Sequence, residues 1–222
     1  VIVGGRLLAL GGNARMGQGR FLVAESDESD GSFLRLTPVI AVITNIDHEH
    51  LDHHGDVDAL AEAFRQFAEK VPFYGAVIAC ADDPLLMQLL PRLTRRVITY
   101  GLTHPADVRG REVVHDGLTS RFSMRAAGQS LGDITLHVPG LHNVYNALAA
   151  AAVGWEIGAT ADAIRAGLAE FRGVGRRFEH KGDVRDVHVV DDYGHHPTEI
   201  RAVLDLPATA AGVASARVLA ET

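Results

Sequence analysis

Short unbroken runs of apolar and β-branched residues, separated by helical patterning, constrain this chain more than any other feature. Val39 to Thr44 reads Val-Ile-Ala-Val-Ile-Thr, Ala76 to Cys80 reads Ala-Val-Ile-Ala-Cys, and Phe21–Ala24 and Val97–Tyr100 are of the same kind. A strand with one wet face alternates polar and apolar residues. A continuous run fits a strand covered on both faces, as in a parallel sheet layered between helices. Between 56 and 70, Val57, Leu60, Ala61, Phe64, Phe67 and Ala68 recur at helical spacing behind Asp56, which is placed to cap the first turn. Pro84 stands where it would open a further helix. The expected fold class is α/β, built on a central, mostly parallel sheet.

Residues 107–138 change period. Asp107–Val114, Thr119–Ala126 and Asp133–Val138 alternate polar and apolar, with Asp116-Gly117 and Ala127-Gly128 as turns, which predicts a small antiparallel patch. Helices are expected at about 143–157 and 160–171. Gly173-Val174-Gly175 and Gly182 bracket a hinge, and Val187–Val190 with Thr198–Leu204 opens a second, Rossmann-like α/β unit. The expected organisation is a central domain over 1–180 and the start of another over 181–222. Val1 begins in mid-strand style without an initiator Met, and Val218 to Thr222 have no terminating logic, so a piece of a longer protein is expected.

Composition removes several function classes. A formal charge of −7 leaves no basic footprint for nucleic acid. No apolar stretch approaches the ~18 residues that span a bilayer, so no membrane insertion is expected. The single cysteine, Cys80, ends an apolar run and reads as a buried strand residue in a reducing compartment.

The chemistry-bearing residues follow the strands. Glu25-Ser26-Asp27-Glu28-Ser29-Asp30 places four carboxylates in six residues, whose mutual repulsion calls for water or a cation. In open α/β sheets such strand-end turns are where ligands sit. Asn45-Ile46-Asp47-His48-Glu49-His50-Leu51-Asp52-His53-His54 follows the next strand. Taken alone, His48-x-His50-x-Asp52-His53 matches the signature of metallo-β-lactamase-type zinc hydrolases, with His115, His137 and His142 as further candidate ligands. Pro139-Gly140-Leu141-His142-Asn143-Val144-Tyr145-Asn146 leads into an alanine-rich helix. Asn143 and Asn146, three apart, would share a helix face, and a carboxamide complements the edge of adenine. Helix capping would account equally for an isolated His-Asn-x-x-Asn.

Taken together and in order, these segments resemble the Mur ligase family. Thr44-Asn45-Ile46 with His50-Leu51-Asp52, the Pro-Gly-x-His-Asn-x-x-Asn run, Phe171-Arg172-Gly173-Val174-Gly175-Arg176-Arg177-Phe178-Glu179, and Asp191-Asp192-Tyr193-Gly194-His195-His196-Pro197 carry the resemblance from about residue 1 to 205. It implies Mg²⁺ on Glu25 and His50, and adenine on the segment of His142, Asn143 and Asn146. It further implies ATP phosphates at Arg177, ribose at Asp192, and Tyr193 and His195 near the reacting groups. Phe64 stands where several branches carry a carbamylated lysine, which points to the alanine-adding branch, with murein peptide ligase as a near neighbour. That branch implies ATP-driven joining of L-alanine to UDP-N-acetylmuramate in the bacterial cytoplasm, for peptidoglycan precursors. The family's Gly-x-x-x-x-Gly-Lys-Ser/Thr phosphate loop does not occur in these 222 residues, so the segment by itself is expected to be inactive.

Overall fold

A computed structural model describes residues 1–8, 11–47, 56–185, 187–194, 200–201 and 203–204. The main body is a six-stranded sheet in sequence order: β3 (Ile40–Ile43), β4 (Ala76–Cys80), β5 (Val97–Gly101), β6 (Val108–Asp116), β7 (Thr119–Ala126) and β8 (Gln129–Leu136). The first three pairings are parallel and the last two antiparallel. The alternating segment is thus the expected antiparallel patch, and it continues the same sheet.

The joint between the two regimes is unusual in its brevity. Parallel neighbours ordinarily need a crossover of a dozen or more residues. β5 and β6 overlap at only Tyr100↔Val108 and Gly101↔Arg109, so the connecting loop has little distance to recover. Asp107 fastens its far end, accepting from the Thr99 amide at 2.8 Å and the Thr99 hydroxyl at 2.9 Å. Because β6 begins where β5 ends, β6 to β8 project past the carboxyl edge of the parallel strands. The β7–β8 turn uses Ala127 (φ 46°) and Gly128 (φ 79°), the paired left-handed conformation of a tight hairpin.

Local sequence explains the helices. α1 (Val57–Glu69) starts at Asp56, whose carboxylate accepts from Ala59 N at 2.7 Å. α2 (Pro84–Leu89) starts at Asp83, which caps Leu86 N at 2.7 Å with Pro84 in the first turn. α3 (Leu141–Glu156) buries Val144, Ala147, Leu148, Ala151 and Ala152, one stripe at helical spacing, and lies against β4 to β7. α4 (Ala161–Glu170) packs on β8 and α3. Every residue of β4 is buried, as its unbroken apolar run predicts; α3 and α2 are among the elements that touch it. Close approach is enforced at Gly75, where a Cβ would lie 2.1 Å from the Val39 carbonyl oxygen.

Two small sheets flank this body. β1 (Ile2–Leu7) pairs with β2 (Gly12–Ala14), and β9 (Glu179–Val184) with β10 (Val187–Asp191), both antiparallel. The expected strand at Phe21–Ala24 is reduced to one parallel bridge, Ala24 to Ile2, and Leu22 is 72% exposed. An apolar run becomes a covered strand only where neighbours flank it, and among the described residues Ile2 is its one bridge partner. Gly182, read from sequence as one end of a hinge, lies within β9 opposite Val189.

Candidate functional site

The carboxyl ends of β3, β4 and β5 open into two clefts that share a wall. One, of about 140 Å³, is lined by Ser26, Glu28, Thr44, Asn45, Asp47 and Phe64, among others. The other, of about 260 Å³, is lined by Thr44, Asn45, Asp82, His142, Tyr145 and Asn146, among others. The dipeptide Thr44-Asn45 thus stands between them. Three segments singled out in the sequence therefore converge: the acidic turn, the Thr-Asn-Ile strand end and the His-Asn-x-x-Asn helix start. This is the position at which open parallel sheets hold ligands.

The two asparagines part company. Asn146 lines the larger cleft. The Asn143 amide instead donates back to the Pro139 carbonyl at 2.6 Å, with His142 Nε2 3.1 Å away. Asn143 thus secures the turn that enters α3, whose preceding residue, Gly140, has φ 97°. A side chain at such φ would be strained, so Gly140 is required for this entry. Phe64 lines the smaller cleft, its ring centroid 5.4 Å from that of Phe33. An apolar aromatic therefore forms part of the wall of the cleft that Asp47 and Glu28 also line.

Glu25 is held by β1. Its amide donates to the Ile2 carbonyl at 2.8 Å, and Gly4 N donates to its Oε2 at 2.6 Å. A carboxylate fixed at the surface by one backbone amide fits Mg²⁺, which takes one or two carboxylates and keeps several waters. Among the described residues, no three His, Cys, Asp or Glu side chains gather as a metal cage. His50, the expected partner of Glu25, lies outside the described residues, as do His48, Asp52, His53 and His195.

The last motifs meet at the base of the β9–β10 hairpin. Asp192 accepts from Phe178 N at 2.7 Å and from Gly194 N at 2.7 Å, so its carboxylate closes the loop carrying Arg176 and Arg177. Tyr193 N donates to the Arg176 carbonyl at 2.8 Å, and the Arg176 guanidinium lies 4.9 Å from the Tyr193 ring centroid. Arg177 is exposed on this turn. The turn is tied to β1 through Gly175 N to the Arg6 carbonyl at 2.8 Å and a Leu7–Val174 bridge. β1 therefore touches both the Glu25 strand end and the arginine turn.

One group at this site escaped the sequence reading. Asp82 lies in the turn that follows β4, and its side chain is 8% exposed. Its Oδ2 accepts from Leu102 N at 2.6 Å, Thr103 N at 3.0 Å and the Tyr145 hydroxyl at 3.0 Å. Its Oδ1 accepts from the Thr103 hydroxyl at 2.6 Å and His104 N at 2.8 Å, with His104 Nδ1 also at 2.8 Å. Burial alone would push this carboxyl up; the Thr103 hydroxyl and the three amides outweigh it and hold it well below the usual carboxylate range. Burial and then the bond to Asp82 push the Tyr145 phenol up. The available signal was Asp82-Asp83-Pro84: Asp83 is consumed as a helix cap, which leaves Asp82 without a local task.

Comparison with known proteins points to one family. Residues 13–154 match the Mur ligase middle domain. The UDP-N-acetylmuramate–L-alanine ligase of Desulfatibacillum aliphaticivorans is 53% identical over 204 residues, covering 92% of this chain and 45% of that protein. Its counterpart in Solibacter usitatus is 55% identical over 206 residues, covering 92% and 44%. The chain therefore spans a little under half the length of these relatives. Among solved structures, the UDP-N-acetylmuramate-alanine ligase MurC of Thermotoga maritima superposes with a TM-score of 0.80 at 29% identity, covering 95% of this chain and 47% of that one. The family match runs through His48, His50, Asp52 and His53, so the zinc-hydrolase reading of those residues gives way. With the match to residues 13–154 and relatives more than 50% identical over 92% of its length, the chain belongs to the Mur ligase family.

Proposed function

We propose that this chain works within an ATP-dependent ligase that joins L-alanine to UDP-N-acetylmuramate, a cytoplasmic step of peptidoglycan precursor synthesis. The observation that carries the reading is the identity of 53% over 92% of the chain to a ligase of that name. The aromatic at Phe64, facing the smaller cleft, supports the alanine-adding branch over relatives with a carbamylated lysine.

The chemistry is dictated by the reactants. A carboxylate is a poor electrophile at neutral pH and must be activated. A lactyl carboxylate oxygen attacks the γ-phosphorus of ATP, ADP leaves, and an acyl phosphate forms. The amine of L-alanine then attacks the acyl carbon, loses a proton, and phosphate departs. His142 and Asn146 line the cleft that suits adenine, with Asn143 shaping its entry. Arg177 suits phosphate oxygens, being permanently charged and able to bind two at once. Asp192 is assigned to the ribose, and Tyr193 and His195 to the reacting end. Glu25 and His50 would hold Mg²⁺, which supplies neutralisation of phosphate charge; the rest is positioning and exclusion of water.

The test is phosphate release by the full-length protein. Release that requires ATP, Mg²⁺, UDP-N-acetylmuramate and L-alanine together is expected, with none from residues 1–222 alone. A requirement for a peptide in place of L-alanine would instead assign murein peptide ligase activity. Release that needs no UDP-sugar would overturn both.

A further inference from the structure

The bond from Tyr145 to Asp82 has no role in satisfying Asp82. A carboxylate offers about four lone-pair sites. Leu102 N, Thr103 N, the Thr103 hydroxyl and His104 N already fill them at 2.6–3.0 Å. The Tyr145 hydroxyl is a further donor, from a residue 63 positions away in sequence. Phenylalanine would fill the same half-buried space. What the hydroxyl adds is a fixed distance between the N-terminal part of α3 and the turn after β4. Tyr145 is adjacent to Asn146 and one helical turn from His142, and all three line the larger cleft together with Asp82.

We propose that Asp82 and Tyr145 are positioning residues that set the His142–Asn146 face of α3 against the strand ends, so that the cleft accepts an adenine nucleotide in one orientation. The inference rests on the assignment of this cleft to adenine. Asp82 acts twice: it gathers the 102–104 loop, and it anchors Tyr145, which lines the cleft with it. Neither side chain takes part in phosphoryl or acyl transfer. The role therefore belongs to KM for ATP and not to kcat.

The test is steady-state kinetics of full-length enzyme carrying Tyr145→Phe, Asp82→Asn, or both. Tyr145→Phe is expected to raise KM for ATP and the dissociation constant of ADP about 5- to 10-fold. kcat and KM for the UDP-sugar are expected to stay within about twofold, and the melting temperature within a few degrees. Adding Tyr145→Phe to Asp82→Asn is expected to raise KM for ATP less than it does alone, because the bond is already weakened. An unchanged KM for ATP in Tyr145→Phe would overturn the proposal. So would a uniform loss across all substrates that tracks the melting temperature, which marks a purely structural bond. A wild-type protein that binds no adenine nucleotide would refute the nucleotide reading itself, a result distinguishable from either of these.

Discussion

Replacing Asp82 by asparagine removes one charge while keeping the shape of the side chain, and the surrounding donors decide its cost. The new amide nitrogen must take the place of Oδ1 or Oδ2. At Oδ2 it would confront the Leu102 and Thr103 amides, neither of which can become an acceptor. At Oδ1 the Thr103 hydroxyl can rotate to accept and the His104 ring can change tautomer, which leaves only His104 N opposed. The second arrangement wins. Its two remaining backbone bonds lose their charge assistance, worth about 1 kcal/mol each, and His104 N is left opposed for about 1 kcal/mol more, so a loss of about 3 kcal/mol is expected at pH 7. The pH dependence gives an independent check. The folded carboxyl titrates below the unfolded one, so its contribution is complete above the unfolded value of about 3.9 and is lost as pH falls towards the folded value. Between pH 5 and pH 3 the gap between wild type and Asp82→Asn is expected to shrink by about 1.2 kcal/mol. Urea unfolding of both proteins across that range measures it. A gap below about 0.5 kcal/mol at pH 7, or one that does not change with pH, would refute the account of Asp82 as a strongly coordinated carboxylate.

Gly75→Ala is expected to cost about 3 kcal/mol, because the added methyl meets the Val39 carbonyl oxygen at 2.1 Å and Val71 Cγ1 at 2.7 Å; chemical denaturation reads this directly. The two asparagines of α3 are expected to separate in the full-length enzyme. Asn146→Ala raises KM for ATP about tenfold or more with little change in stability. Asn143→Ala, which removes the bond to Pro139, costs about 1 kcal/mol of stability, measured by thermal unfolding.

Much of the fold was readable because its causes are local. Asp56 and Asp83 cap the helices they precede, Pro84 opens α2, and the unbroken run at 76–80 is the buried centre of the sheet. Phe21–Val23 misled for a physical reason: side chains announce that a strand is wanted, not that neighbours are present on both sides. The continuity of parallel and antiparallel strands was hidden because it depends on a two-residue overlap between β5 and β6, a matter of register. At the site, three segments were found from spacing and chemistry together. Equal helical spacing did not reveal that Asn143 would be captured by a carbonyl four residues back. Asp82-Asp83-Pro84 marks Asp82 as a carboxylate without a local task but not its partners, which lie 20 to 63 residues away, a meeting that no local pattern encodes.

The seam between β5 and β6 also has a mechanical meaning. Since β6 is bonded to β5 at one edge and to β7 along the other, the overhanging strands form one slab with the floor beneath the clefts. Opening or closing in the proposed reaction would then be borne outside that slab. The 171–178 segment lies outside that slab: Gly173, Arg176 and Phe178 all sit at positive φ there, and β1 and the carboxylate of Asp192 are among its attachments.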